Sequence, residues 1–149
     1  MRFVAPRGCP NVLIHISQTS STPMYEQVIS EIQRLIAMGY MEPDEMLPSI
    51  RELSKELMMS GITIRRAYQE LERSGFIYTR KGKGSFVAQL SEERLAQWKM
   101  EQVRGPLLES VLQAKKLNLE EEQFQKLIKH IWQEADNDTQ RQQEGEDNV

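Results

Sequence analysis

Between Leu47 and Val87 the apolar positions change period, from two short helical stripes to a pair of β-rich runs. Pro48 blocks an upstream extension, and Ser49 and Glu52 stand at the S-x-x-E spacing that caps two free N–H groups reciprocally, so a helix is expected to start at Ser49. Ile50, Leu53 and Leu57 give it one apolar face. After a turn at Met58 and Met59, Ser60 repeats the start signal. Ile64, Ala67, Tyr68 and Leu71 then recur at i, i+3, i+4 and i+7, as an amphipathic helix requires, and Gly75 stops it. Phe76 to Arg80 and Ser85 to Ala88 read as strands joined through Lys81-Gly82-Lys83-Gly84. Two short helices, a tight turn and a basic hairpin predict a winged helix-turn-helix in a chain that is mainly α.

The flanks carry weaker patterns. Residues 1–10 hold Pro6 and Pro10 without periodicity and are expected to be a poorly ordered arm; Val12 to Ile16 is a β-type run, and Ser17 to Thr22 a polar connector. Thr22 is expected to cap a helix whose first residue is Pro23, where the missing N–H would have had no partner. Met24, Val28, Ile32, Leu35 and Ile36 form its apolar stripe, and Gly39 ends it. Pro43 to Pro48 is a loop feeding the first motif helix.

Beyond the hairpin, Ser91 opens a charged helical segment with Leu95, Trp98 and Val103 on an imperfect stripe, which Gly105-Pro106 is expected to break or kink. Leu107, Leu108, Val111 and Leu112 continue an apolar face to Lys116. Asn118 divides this from a last helix with a seam of Phe124, Leu127, Ile128, Ile131 and Trp132. Residues 136–149 are too polar to repay ordering and are expected to fray. The domains so drawn are 11–90 and 91–135. Roughly forty-five residues of striped helix are too few to hold a core alone, so these faces need a partner, and a second copy of the chain is the simplest one.

Burying the stripe of the second motif helix leaves Ser60, Gly61, Ile62, Thr63, Arg65, Arg66 and Gln69 at its start and along its outer arc. A helix that reads base edges in the major groove does so from its N-terminal residues, which suits these donors. Ile62 on that arc is either a stray exposed apolar residue or a contact for a thymine methyl. In the hairpin, Gly82 lets the backbone approach a phosphate while Lys81 and Lys83 supply charge.

Composition changes this picture in one respect. The net charge of −3 argues against a polyanionic partner, yet residues 49–90 hold eight Lys/Arg against four Asp/Glu, a balance of +4. Residues 91–149 carry −5 and residues 1–48 carry −2. Where the charge sits decides where DNA can dock. Lone Cys9 and isolated His15 and His130 form neither a disulfide framework nor a metal set, and no glycine-rich phosphate loop precedes a helix. Glu120 to Glu122 is a helix-start cluster that suits the macrodipole. The chain is therefore expected to be no enzyme and to need no cofactor. With no apolar run near the ~18 residues of a membrane span and no signal-peptide core, the cytoplasm is the expected compartment.

Four blocks in order resemble the DNA-binding domain of the GntR family of bacterial transcription regulators: L-P-S-x-R-E-L at Leu47 to Leu53, T-[IV]-R-x-A at Thr63 to Ala67, L-E-x-x-G at Leu71 to Gly75, and G-x-G-[ST]-[FY]-V at Gly82 to Val87. Pro23 to Gln27, P-[IM]-Y-x-Q, together with the short helical tail, resembles the YtrA-like subfamily. The resemblance covers about residues 11–134. It implies base or phosphate contacts by Arg51, Ser60, Thr63 and Arg65, wing contacts by Lys81 and Gly82, and a first helix that packs behind the motif and reads nothing. It further implies a dimeric repressor linked to operons for ABC-type transporters; pairing two chains through the tail faces would set the two copies of the second motif helix on one side, so the homodimer's operator in double-stranded DNA is expected to be an inverted repeat. Other branches of the family carry a larger effector or aminotransferase-like domain after the wing, for which no room is expected here. Many members have an arginine where this chain has Gly61, so the guanine contact of that arginine does not carry over. A winged-helix module for protein interaction and a nonspecific architectural DNA binder are the alternatives.

Overall fold

The structure, a computed structural model, describes residues 16, 17 and 19–146, with the backbone alone for 138–146. The arm 1–10 and the β-type run up to His15 lie outside the described residues, and Ile16 is in no strand. Five helices and one hairpin follow in order: α1 (Met24–Ala37), α2 (Ile50–Glu56), α3 (Gly61–Arg73), β1 (Ile77–Arg80), β2 (Gly84–Val87), α4 (Glu92–Lys116) and α5 (Glu121–Glu146). The described residues fall into two compact units that divide between Gln97 and Trp98.

In the first unit α1, α2 and α3 enclose a core of aliphatic side chains. Val28 and Leu35 of α1, Leu53 of α2, Ile64 and Leu71 of α3 and Val87 of β2 are almost wholly shielded from solvent. The first motif helix starts as its capping box requires: Ser49 Oγ accepts from Glu52 N at 3.2 Å, and Ser49 N donates to Glu52 Oε2 at 2.8 Å. Hydrogen bonding to the Glu52 carboxyl by the Ser49 side chain first, and by the Ser49 backbone N–H second, holds it below its ordinary pKa. The turn bends at Met58, with φ of 49°. Tyr68, buried on α3, donates its hydroxyl to the Pro48 carbonyl at 2.8 Å and so ties α3 to the start of α2. Burial first, then Glu52 and Glu56, push its pKa well up, so the phenol stays neutral.

The hairpin pairs Ile77 with Val87, Tyr78 with Phe86, Thr79 with Ser85 and Arg80 with Gly84, antiparallel. A bridge from Met46 to Phe86, with Leu47 N donating to Ser85 O and Val87 N to Glu45 O, adds the loop before α2 as a third, one-bridge edge. The sequence reading treats that stretch only as a loop. Its register is set by backbone bonds that leave no periodic trace in so few residues.

Two element boundaries differ from expectation. Met24, not Pro23, begins α1: Pro23 is extended, with ψ of 141°, and serves as N-cap through its carbonyl, which accepts from Glu26 N and Gln27 N. Thr22 makes no side-chain cap, and the Gln27 amide instead binds the Thr22 and Ser17 carbonyls. Gly105-Pro106 does not break α4, which runs unbroken from Glu92 to Lys116 with Pro106 inside it. Gly105 has no β-carbon to collide with the proline ring, and residues 101–110 are all exposed, so water reaches the carbonyl left without a donor.

In the second unit α4 and α5 turn about Asn118, at φ of 56°. The apolar seam stops at Trp132 but α5 continues to Glu146, a stretch rich in Gln, Glu and Arg, whose intrinsic helix propensity is good. Of the described residues from 98 onward, Ala114 alone is buried.

Candidate nucleic-acid interface

Helix α3 is presented as its period dictates. Ile64, Ala67, Tyr68 and Leu71 turn inward, while Gly61, Ile62, Arg65, Arg66 and Gln69 are exposed. Ser60 is the N-cap; its Oγ accepts from Thr63 N at 3.2 Å and lies 2.7 Å from Thr63 Oγ1. The Ser60 hydroxyl therefore caps the helix, and the Thr63 hydroxyl is bonded to it at the same end. Ile62 is 81% exposed, far beyond what packing explains. The nearest atoms to where a β-carbon of Gly61 would stand are Ser54 Oγ at 3.8 Å and Ile50 Cγ2 at 4.0 Å, ordinary contact distances.

Arg51 and Arg65 are exposed and form no ion pair among the described residues. Arg66 is placed differently from Arg65. Its guanidinium lies 3.8 Å from the centre of the Tyr25 ring and donates to the Tyr25 hydroxyl at 3.0 Å, joining α3 to the first turn of α1. That seat was invisible to helical periodicity, which places Arg66 on the outer arc without saying what stands beside it.

Between the start of α2 and the hairpin lies a cleft lined by Ser49, Arg51, Glu52, Arg80, Lys81 and Lys83, among others. Its four cations face one carboxylate, and that carboxylate is already bound into the capping box. Gly82 and Gly84 take φ of 75° and 111°, conformations that side chains rarely adopt, and so form the tip that carries Lys81 and Lys83. Arg80 was missed by the sequence reading. Its alternation with Tyr78 along β1 was the available signal.

The arrangement is a capped helix with outward donors, a basic hairpin beside it and an apolar core behind, which defines a winged helix-turn-helix DNA-binding protein. No cluster of His, Cys, Asp or Glu that could hold a metal is present among the described residues. The pattern shared by the bacterial regulatory proteins of the gntR family matches residues 24–87. The HTH-type transcriptional repressor YtrA of Bacillus subtilis is 35% identical over 119 residues, 80% of this chain and 92% of that protein. The chain belongs to the GntR family of DNA-binding transcription regulators.

Among solved structures, a GntR family transcriptional regulator from Listeria monocytogenes superimposes with a TM-score of 0.63 at 30% identity, covering 74% of this chain and 96% of that one. YtrA from Sulfolobus acidocaldarius, a GntR-family transcription factor, gives 0.51 at 31% identity over 63% of this chain and 99% of that one. No described helix is long and apolar enough to cross a membrane.

Proposed function

We propose that this regulator is a cytoplasmic repressor that binds, as a homodimer, an inverted-repeat operator in double-stranded DNA and controls transporter genes of the ABC type. The observation that carries the reading is the outer arc of α3, where exposed Arg65 and Ile62 flank a capped helix start beside a cleft bearing Arg51, Lys81 and Lys83. The similarity to a protein named a repressor supports the direction of control. In this reading Ser60, Gly61, Ile62, Thr63 and Arg65 meet bases or the phosphates beside them. Arg51, Gly82 and the two lysines meet phosphates. Arg66, held on Tyr25, meets the backbone at the α1 side instead of a base.

Footprinting of the purified protein on the DNA upstream of its own gene, followed by selection from random DNA, tests this. A protected inverted repeat is expected. A specificity ratio near one would make the chain an architectural binder, and no binding at all would make it a protein-interaction module. Within such an operator, Arg65→Ala is expected to cost about 1–3 kcal/mol of specific binding while leaving the unfolding transition unchanged. An unaltered operator affinity would remove α3's outer arc from the interface.

The wing makes a separate claim. Lysines at a hairpin tip attract phosphates whatever the sequence, so Lys81→Ala with Lys83→Ala should weaken specific and nonspecific sites alike. The slope of log affinity against log salt should become shallower by up to about 0.9 per lost contact. Weaker operator binding at an unchanged slope would contradict it.

A further inference from the structure

The hairpin register places Tyr78 and Arg80 of β1 on one face with Phe86 and Gly84 of β2, while Ile77 and Val87 turn to the core. On that outer face the Tyr78 and Phe86 rings stack, with centroids 5.6 Å apart and planes 22° apart. The Arg80 guanidinium lies over both, 5.2 Å from the Tyr78 centroid and 5.1 Å from that of Phe86. Tyr78 in turn donates its hydroxyl to Asp44 Oδ1 at 2.5 Å, and Asp44 N donates to Val87 O, so the ring pair is fastened to the loop before α2. Opposite Arg80 stands Gly84, which has no side chain to cover the guanidinium. Arg80 is exposed, forms no ion pair among the described residues, and lines the same cleft as Arg51 and the wing lysines.

A flexible lysine at a turn is a point charge that any phosphate satisfies. An arginine held over two rings is a different device: its side chain is already ordered before DNA arrives, and its planar head is weakly hydrated. Such a head can enter a minor groove, where its gain depends on how narrow and how electronegative the groove is, and hence on sequence.

We propose that Arg80 is a specificity-determining residue that reads the minor groove at base pairs flanking each half-site and favours A·T there. The claim rests on the operator reading above. It divides the wing in two, with Lys81 and Lys83 giving affinity without sequence and Arg80 giving sequence preference outside the reach of α3. A stack that merely stabilised the hairpin would alter the melting temperature without touching base preference.

The test uses the full chain and the operator selected from random DNA, with each flanking pair replaced in turn by G·C or by inosine·cytosine. Inosine lacks the guanine 2-amino group, so its pair resembles A·T in the minor groove and G·C in the major groove. The intact protein should bind A·T and inosine·cytosine flanks equally and G·C flanks about tenfold more weakly at one or more positions. Arg80→Gln should lose this ratio. Arg80→Lys keeps the charge and should also lose it at unchanged nonspecific affinity, and Lys81→Ala with Lys83→Ala should keep it. Far-ultraviolet circular dichroism of each variant certifies the fold. A folded Arg80→Gln or Arg80→Lys protein that retains the ratio overturns the proposal, as does an intact protein that binds its operator but treats the three flanks alike. A chain that selects no site from random DNA overturns the operator reading itself, and the role of Arg80 with it.

Discussion

Leu112→Glu with Ile128→Glu should leave the winged helix folded, turn the protein into a monomer in light scattering, and lower affinity for a full inverted repeat by roughly 10²–10⁴ towards that for one half-site. The argument starts from what the second unit lacks. Leu107, Leu108, Leu112, Leu127, Ile128 and Ile131 are between 36% and 52% exposed, Val111 and Phe124 are half-buried, and only Ala114 is buried among the described residues from 98 onward. An apolar face of that extent on two helices is more than a soluble monomer commonly leaves wet. A second copy offers the same face, and two-fold pairing closes without leaving an edge for further growth. Joining two readers makes the second docking intramolecular, which is the source of the expected factor. A chain ending at Gln97, the limit of the first unit, should behave as the double variant does. If either protein remains dimeric and binds like the intact chain, the winged helix holds the dimer and α4 and α5 do something else.

Two isoleucines two residues apart on α3 should give opposite results. Ile64 is wholly buried and Ile62 is 81% exposed. Ile64→Ala removes atoms from the core where α3 packs on α1 and α2, and should lower the unfolding free energy by about 2–5 kcal/mol, read from chemical denaturation. Ile62→Ala should change that free energy by less than about 0.5 kcal/mol while relaxing any thymine preference in selected sites. Equal stability losses would mean that Ile62 packs in the folded protein and that the outer arc has been drawn wrongly.

The contrast between these residues also shows how far the sequence could be read. Ile64, Ala67, Tyr68 and Leu71 recur at a helical period, so the inner face of α3 and hence its outer arc were legible before any coordinates. The S-x-x-E capping box was equally plain, since both bonds lie within four residues. What failed to show were relations between distant segments. Tyr25 and Arg66 are separated by 41 positions, Asp44 and Tyr78 by 34, and no local pattern announces that either pair meets. Pro106 misled for the converse reason: its local rule is strong, but a glycine before it and water around it weaken the penalty. The third sheet edge at Met46 was hidden because one bridge has no period.

The exposed glycine at the head of α3 has a practical consequence. Its surroundings admit a side chain at ordinary contact distance, and its backbone is not one that demands glycine. Gly61 is thus an unoccupied letter in an otherwise written word. On the operator reading proposed above, varying that one codon through all twenty amino acids is expected to yield proteins that select new operators, because the residues that build the helix need not be rearranged to accommodate the change.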